Sequence, residues 1–221
     1  KGDVSSMFNL AILYKNLKKD FEKTKEYYLK AIEHGHVNAL YNLANLYGNV
    51  YRDFEKAEEY FLKAIEYEHA SSMYNLARLY RDVKKDYEKA EIYFLKAINQ
   101  GHIKSMFSLA LLYNDVKKDL VKTETYYLKA IEKGHISSMY NLAMLYFNEL
   151  KDLSSAEKYL LMAVEHAPDN YKYLYNLITV YSINDNISKA LNWTEKLLGI
   201  TSFYEETEKL MALLSFFIKT K

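Results

Sequence analysis

Asparagines that recur at one position along the chain are the side chains with the clearest capacity for binding. An aromatic residue stands directly before each of them, and Ser108 interrupts the series. The asparagines, which we call the asparagine ladder, are Asn9, Asn42, Asn75, Asn141 and Asn176. The aromatic residues of this series are Phe8, Tyr41, Tyr74, Phe107, Tyr140 and Tyr175. Since an amide offers both a donor and an acceptor, the ladder could pair with the backbone of an extended peptide. The alternative is that each amide only bonds a neighbouring turn of the protein itself.

Residues that differ between the copies would have to supply any specificity. One turn after the aromatic residue the chain carries Ile12, Asn45, Arg78, Leu111, Met144 and Thr179. Further along it carries Lys15, Arg81, Asn114 and Phe147. Arg78 and Arg81 predict a basic spot, and it lies beside an apolar one formed by Leu111, Met144 and Phe147. This pattern favours a ligand in which an acidic residue is followed by apolar ones.

Four histidines also share one position, but they do not predict a metal site. They are His36, His69, His102 and His135. Equivalent atoms on neighbouring packed helices lie roughly 10 Å apart, whereas zinc ligands lie about 2 Å from one ion. We therefore interpret these histidines as residues of turns and helix caps.

The composition argues against catalysis, a cofactor or nucleic-acid binding. The chain shows no P-loop, glycine-rich nucleotide fingerprint or serine elbow, and it has no cysteine. With 30 basic and 29 acidic residues the formal net charge is +1, whereas nucleic-acid binders usually carry a basic imbalance. No apolar run reaches the length of a membrane span, and no signal peptide is visible. We therefore expect a cytoplasmic protein that is not an enzyme.

A repeat of 33 residues positions all of these side chains. Its centre is Ser-Met-Tyr-Asn-Leu-Ala-x-Leu-Tyr, which is complete at residues 72–80 and 138–146. The central alanines, each 33 residues after the last, are Ala11, Ala44, Ala77, Ala110 and Ala143. A fixed period of this length predicts an array of stacked units. We expect units at about 4–36, 37–69, 70–102, 103–135, 136–168 and 169–200, in one domain spanning residues 1–221, with a capping helix at 201–219.

Each unit is predicted to hold two helices, which we call helix A and helix B. In the second unit Leu40, Leu43 and Tyr47 recur with helical spacing, which places helix A at about 38–48 and helix B at about 54–67. Aspartates that can cap helix B stand at Asp20, Asp53, Asp86, Asp119 and Asp152. Asn38 and Ser71 are the predicted caps of helix A. Gly35, Gly101, Gly134 and Gly199 are expected to end helix B.

The repeat resembles the Sel-one-like repeat, a branch of the tetratricopeptide superfamily. The resemblance rests on Leu-Ala-x-x-Tyr in helix A, then Asp-x-x-Lys-Ala at 53–57 and 86–90, Tyr-Phe-Leu-Lys-Ala-Ile at 60–65 and 93–98, and Gly-His-x-x-Ser-Met at 101–106 and 134–139. The chain departs from the family in having Leu-Ala for Leu-Gly and in lacking a Gly-x-Gly loop between the helices. Five units resemble this repeat, and the sixth is more similar to an ordinary tetratricopeptide repeat. The resemblance implies an all-α, right-handed superhelical solenoid of antiparallel helix pairs, with helix A lining a concave groove. It also implies adaptor or scaffold work.

Three functional interpretations stay open on the sequence alone. The first is a scaffold or adaptor that binds a peptide or protein segment in the helix A groove. The second is a structural scaffold that oligomerises through the apolar C-terminal helix. The third is a non-catalytic arm of a larger enzyme or ligase complex. All three imply a protein partner.

Overall fold

The regular structure of the chain is helical wherever it is described. A computed structural model describes residues 3–200 and Ser215. Contacts between residues group the chain into two compact units, each larger than a single repeat. The first unit ends at Lys118, the second begins at Asp119, and each is described by itself. Within the described residues all elements are helices, which confirms the predicted all-α class. The expected capping helix at 201–219 lies outside the described residues, except for Ser215.

The first unit holds seven helices and four short π-helical turns. The α-helices are α1 (Val4–Leu13), α2 (Phe21–Glu33), α3 (Val37–Leu46), α4 (Phe54–Ile65), α5 (Ala70–Leu79), α6 (Tyr87–Asn99) and α7 (Ile103–Leu112). The π-helical turns are π1 (Tyr14–Lys18), π2 (Tyr47–Tyr51), π3 (Tyr80–Lys84) and π4 (Tyr113–Lys117). Odd-numbered helices are helices A, and even-numbered helices are helices B.

The second unit continues the alternation of helices A and B. Its elements are α8 (Leu120–Glu132), α9 (Ile136–Leu145), π5 (Tyr146–Leu150), α10 (Leu153–His166), α11 (Tyr171–Ile183) and α12 (Ile187–Ile200). Gly199 lies inside α12, so the prediction that it ends this helix was wrong. No helix within residues 3–200 combines the length and the apolar character that crossing a membrane requires.

A π-helical turn ends helix A in five repeats. This turn is wider than an α-helical one, and the residue after it adopts a left-handed conformation. Those residues, with φ between 53° and 57°, are Lys19, Arg52, Lys85, Lys118 and Lys151. In four of these repeats the turn then closes on the next aspartate, whose backbone N–H donates to the tyrosine carbonyl; the distance from Asp53 N to Tyr47 O is 3.0 Å. The connection therefore reaches helix B without a glycine loop.

The predicted caps of helix B are confirmed, and those of helix A were wrong. Each of the five aspartates accepts a bond from a backbone N–H in the first turn of its helix, as in the 3.0 Å bond from Lys56 N to Asp53 Oδ1. Helix A instead begins after a histidine: His36 and His69 are the N-cap residues where Asn38 and Ser71 were expected. Asn38 and Ser71 lie inside the first turn.

Two series of alanines mark the crossing points of the helices. The central alanines of helix A are fully buried, and so are their counterparts in helix B. These counterparts are Ala31, Ala64, Ala97, Ala130 and Ala163. Leucines of helix A fill the space beside them, since Leu43, Leu76 and Leu142 are also fully buried. Small residues at the crossings therefore permit close helix packing, as the sequence predicted.

Buried tyrosines tie helix A of one repeat to helix B of the preceding repeat. The Tyr80 hydroxyl donates to Glu58 of α4, and Lys84 pairs with the same carboxylate. Equivalent tyrosine–glutamate bonds are Tyr113–Glu91, Tyr146–Glu124 and Tyr181–Glu157. Burial, together with the bond to Glu58, raises the pKa of Tyr80. The sequence carries no local signal for these tyrosine–glutamate bonds, because each joins residues more than 20 positions apart.

Candidate functional site

The asparagine ladder forms bonds within the protein as well as presenting amides at the surface. In α3, Asn42 Nδ2 donates to the Asn38 carbonyl at 3.0 Å, and Asn45 Nδ2 donates to the Tyr41 carbonyl at 2.9 Å. Asn9 is exposed, whereas Asn42 is partly buried. These bonds to the preceding helical turn hold the amides of Asn42 and Asn45 in one orientation.

The ladder also connects one helix A to the next. In the first unit, Asn75 Nδ2 lies 2.8 Å from Asn45 Oδ1 and 3.3 Å from the Tyr41 hydroxyl. In the second unit, Asn176 Nδ2 lies 3.2 Å from the Tyr140 hydroxyl and 2.8 Å from the Lys172 carbonyl. Asn141 donates to the Ser137 carbonyl at 3.1 Å. The tyrosine before one asparagine thus accepts a hydrogen bond from the asparagine of the next repeat.

The aromatic residues pack against the histidine caps of the following helix A. Phe8 stacks on His36 with ring centroids 4.2 Å apart. Tyr41 lies 5.1 Å from His69, and Tyr74 lies 4.7 Å from His102. The ring centroids of Tyr140 and of Tyr173 in the sixth repeat lie 4.9 Å apart. These rings are partly buried, so part of each ring remains available to a ligand.

The predicted specificity residues divide between the two units. Arg78 and Arg81 converge on Asp82: Arg78 Nε lies 3.7 Å and Arg81 Nε 2.6 Å from a carboxylate oxygen of Asp82. Leu111 lies partly buried on α7 of the first unit, with Phe107 one turn before it. Met144 lies partly buried on α9 of the second unit. Each residue of the predicted set is on a helix A or on the π-helical turn that ends it.

A cleft in the first unit brings three of the predicted residues together. It has a volume of about 200 Å³. We call it the Gly48 cleft, and its characteristic lining residues are Asn45, Gly48, Arg52, Phe61, Asn75 and Arg78. Two helices A, α3 with π2 and α5 with π3, form its walls, and α4 forms its floor. Asn45, Asn75 and Arg78 belong to the set predicted from the sequence, whereas Gly48 and Arg52 do not.

The signal that would have found the other two residues is a comparison across repeats. In the five repeats that contain a π-helical turn, the position of Gly48 otherwise carries Lys15, Arg81, Asn114 and Phe147; the sixth repeat carries Ser182. One small residue among these five indicates a place where the surface is open. Arg52 lies in the left-handed position after π2 and has no ion-pair partner among the described residues.

The histidines occur as caps and make their own bonds. The Nδ1 atoms of His69, His102 and His135 lie 2.9 Å from the hydroxyl oxygens of Ser72, Ser105 and Ser138 respectively. Ser72 N also donates to His69 Nδ1 at 3.2 Å, and His69 Nε2 lies 3.2 Å from Asn38 Oδ1. Partial burial lowers the pKa of His69 and of His102. These contacts account for the repeated Gly-His-x-x-Ser pattern.

Comparison with known proteins finds the same repeat in the sequence. The Sel1 repeat family matches residues 4–36, 37–66, 70–102 and 103–135. The tetratricopeptide repeat family matches residues 137–170. No curated protein sequence matches the chain significantly.

Solved structures share the fold at low sequence identity. The c5321 protective antigen of uropathogenic Escherichia coli, which displays an SLR fold, is 17% identical with a TM-score of 0.68; the match covers 100% of this chain but only 58% of that one. A Sel1 repeat protein from Oxalobacter formigenes is 21% identical with a TM-score of 0.62, covering 96% of this chain and 85% of that one. YrrB, a TPR protein with an unusual peptide-binding site, is 23% identical with a TM-score of 0.61, covering 84% and 97%. These likenesses place the chain among α-solenoids of repeated helix pairs.

Proposed function

Because this chain belongs to the Sel1 repeat family, we propose that it is a non-catalytic adaptor that binds a peptide or protein segment along its helices A. Protein binding is typical of this fold, in which stacked helix pairs present a continuous surface. YrrB, which has a similar fold, has a peptide-binding site. The oligomerising alternative depends on the helix expected at 201–219, outside the described residues.

The observation that carries the proposal is the pairing of Asn45 with Asn75 at the Gly48 cleft. The two amides form a bridge between α3 and α5, and both line the cleft. Asn75 donates through Nδ2, which leaves Asn75 Oδ1 without a partner among the described contacts. The Asn75 side chain is held by its bonds to Asn45 and Tyr41, so its oxygen can accept a hydrogen bond from a peptide backbone N–H with little loss of side-chain freedom on binding.

The contrast within helix A between invariant buried residues and variable exposed ones supports the same conclusion. Residues that build the stack hardly vary, as the fully buried Leu43, Leu76 and Leu109 illustrate. The neighbouring position on the cleft side varies in every repeat, from Asn45 to Arg78. Stacking constrains the first set, whereas the second is free to be selected for a ligand.

The test is to identify a ligand peptide and then measure it against charge-reversal variants. Proteins captured from the native cell lysate would be divided into overlapping peptides, and each peptide would be titrated by fluorescence anisotropy. We expect one peptide to bind the wild-type protein and Arg78→Glu to weaken it by roughly tenfold or more, as for a central contact residue. Arg78 is half exposed and lines the cleft.

The matched control is Lys63→Glu, which makes the same change of charge on helix B. Lys63 is exposed on α4 and pairs with Glu59 at 2.6 Å. We expect this variant to bind the peptide within about twofold of the wild type, because exposed ion pairs contribute little. Equal affinity of the wild type and Arg78→Glu, or equal loss in both variants, would contradict binding along helix A.

A further inference from the structure

Gly48 is the feature that distinguishes the second repeat from the other four repeats that contain a π-helical turn. Its counterparts Lys15, Arg81, Asn114 and Phe147 all have long or branched side chains. A Cβ atom added to Gly48 would lie 3.5 Å from the Cβ of Ala57, which is ordinary contact. The backbone therefore tolerates a side chain here. The absence of that side chain leaves the Gly48 cleft open between α3 and α5.

The floor of the cleft is apolar. Ala57 and Phe61 of α4 are buried, with relative exposures of 0% and 4%, and Leu79 of α5 is 8% exposed. The volume of about 200 Å³ is below the roughly 300–1,000 Å³ of pockets for drug-sized molecules. The space is suited to a single side chain with an apolar body.

The rim of the cleft is cationic. Arg81 Nε and Nη2 donate to the two oxygens of Asp82, at 2.6 Å and 3.1 Å, so the charge of the only carboxylate in the lining is balanced. Arg52 and Arg78 remain at the rim, where Arg78 Nε approaches Asp82 only to 3.7 Å. Arg78 is the only basic residue at its repeat position, since the others are Ile12, Asn45, Leu111, Met144 and Thr179. One junction of the array thus combines the cleft with two arginines.

We propose that the Gly48 cleft binds a large apolar side chain of a peptide in which an acidic residue stands directly beside it. The apolar side chain lies against Phe61 and Leu79, which keep some exposure to the cleft, and the neighbouring carboxylate pairs with Arg78 and Arg52. Arginine is suited to this role because its planar guanidinium pairs with both oxygens of a carboxylate. This inference rests on the proposed function and names the chemistry of the ligand at one position.

The probes are four hexapeptides, acetylated and amidated so that they carry no terminal charge. The first is Gly-Ser-Asp-Phe-Ser-Gly; the others replace Asp-Phe with Asn-Phe, Lys-Phe or Asp-Ala. Each is titrated into the full chain, and the backbone amide shifts are followed by NMR. We expect the Asp-Phe peptide to shift the amides of Asn45, Gly48 and Arg78 with a dissociation constant of order 1 mM, as for one anchored side chain. The other three peptides should bind at least fivefold more weakly.

Gly48→Asn is the decisive variant because it introduces the residue of the fourth repeat. Its side chain would occupy the cleft, and we expect it to abolish binding of the Asp-Phe peptide. Replacing a glycine inside a helix also favours folding, so an unchanged or higher melting temperature separates loss of the cleft from loss of the fold. Arg78→Gln should reduce the affinity for the Asp-Phe peptide to that for the Asn-Phe peptide.

Three results would overturn the inference. The first is no shift of the cleft amides at a peptide concentration ten times the expected dissociation constant. The second is equal affinity for the Asp-Phe and Lys-Phe peptides. The third is unchanged affinity of Gly48→Asn for the Asp-Phe peptide. The ligand peptide found from the lysate separates the two proposals. If Gly48→Asn retains its affinity for that peptide while Arg78→Glu loses it, binding along helix A stands and the Gly48 cleft is not the site of the apolar side chain.

Discussion

His36 lacks the partner that the same histidine has in the next three repeats. Its Nδ1 atom is buried and has no hydrogen bond. The serine that serves His69, His102 and His135 is replaced by Ala39. At the equivalent position Ser72, Ser105 and Ser138 are all fully buried, so the fold accommodates a hydroxyl there. His36 Nδ1 therefore lacks a hydrogen bond because residue 39 has no hydroxyl oxygen.

Ala39→Ser should supply that atom and stabilise the protein. A new bond to a buried nitrogen is worth about 1 kcal/mol, and we expect the free energy of unfolding in urea to rise by about this amount. Ser72→Ala is the matched control, because it removes the same bond from His69. It should lower the free energy of unfolding by about 1–3 kcal/mol. A loss of stability in Ala39→Ser would show that His36 does not need a donor.

The histidine caps predict that acid destabilises the protein near neutral pH. Partial burial lowers the pKa of His69, and burial together with the charge of Lys104 lowers the pKa of His102. In the unfolded chain both pKa values return to about 6.5, so the unfolded state binds protons first as the pH falls. The two histidines therefore contribute fully to the free energy of unfolding above about pH 6.5. This contribution is lost as the pH falls from there to the pKa values of the folded protein.

Thermal unfolding at pH 7.5 and 5.5 tests this prediction. We expect the wild type to melt at a lower temperature at pH 5.5. The double variant His69→Asn with His102→Asn, which keeps an acceptor at both caps, should show a smaller difference between the two pH values. An equal difference in both proteins would assign the acid sensitivity to other groups.

At the scale of the element, the π-helical turns place basic residues in a conformation that disfavours them. Lys85 has φ 55° and ψ 25°, and a left-handed residue with a Cβ costs roughly 1–2 kcal/mol. Lys85→Gly should raise the free energy of unfolding by about 0.5–1 kcal/mol, after allowance for the greater freedom of glycine in the unfolded chain. Lys63→Gly, the same change inside α4, should instead lower it by about 1 kcal/mol.

Most of the helices could be predicted from the sequence, because periodicity and caps are local signals. The alanine crossings and the aspartate caps were found in this way. The π-helical turns were not, because the hydrogen bond from Asp53 N to Tyr47 O leaves no residue type as its mark. Asn38 and Ser71 were chosen as caps on their general preference, whereas the aromatic packing of His36 and His69 places the helix start earlier.

The candidate site was only partly predictable for a different reason. The helical spacing of Asn45, Asn75 and Arg78 put them on one surface, and the structure brings them to one cleft. The bond between Asn45 and Asn75 joins residues 30 positions apart, so it depends on the packing of two repeats. The Gly48 cleft is open because Gly48 has no side chain, and a residue without a functional group does not stand out as a binding residue in the sequence.

At the scale of the whole molecule, the first repeat packs on its neighbour differently from the later repeats. Leu13 is 41% exposed, whereas its counterparts Leu46 and Leu79 are 1% and 8% exposed. The hydroxyl of Tyr28 is buried without a partner, and that burial raises its pKa to about 12. Lys25 stands where α4 has Glu58, so this junction lacks a counterpart of the Tyr80–Glu58 bond. The Tyr51 hydroxyl donates to Glu22 at 2.8 Å instead. In a stack of repeats each junction contributes its own stability.

Hydrogen exchange should therefore find the first repeat to be the least protected part of the first unit. We expect the amides of α1 to exchange faster than those of α5, because opening needs fewer contacts to break. Leu13→Ala removes the exposed leucine of α1 and, because that side chain is 41% exposed, should speed exchange in α1 less than Leu46→Ala speeds exchange in α3. Equal protection in α1 and α5 of the wild type would mean that the missing contacts do not limit opening.

The left-handed residue after each π-helical turn has a consequence for proteolysis. All five are lysine or arginine and all are exposed, so trypsin has a recognition site at the same place in five successive repeats. The folded turn does not fit a protease, which needs an extended chain, and cleavage must wait until that repeat opens. The order in which trypsin cuts after Lys19, Arg52 and Lys85 would then report the order in which neighbouring repeats open, without any label being added to the protein.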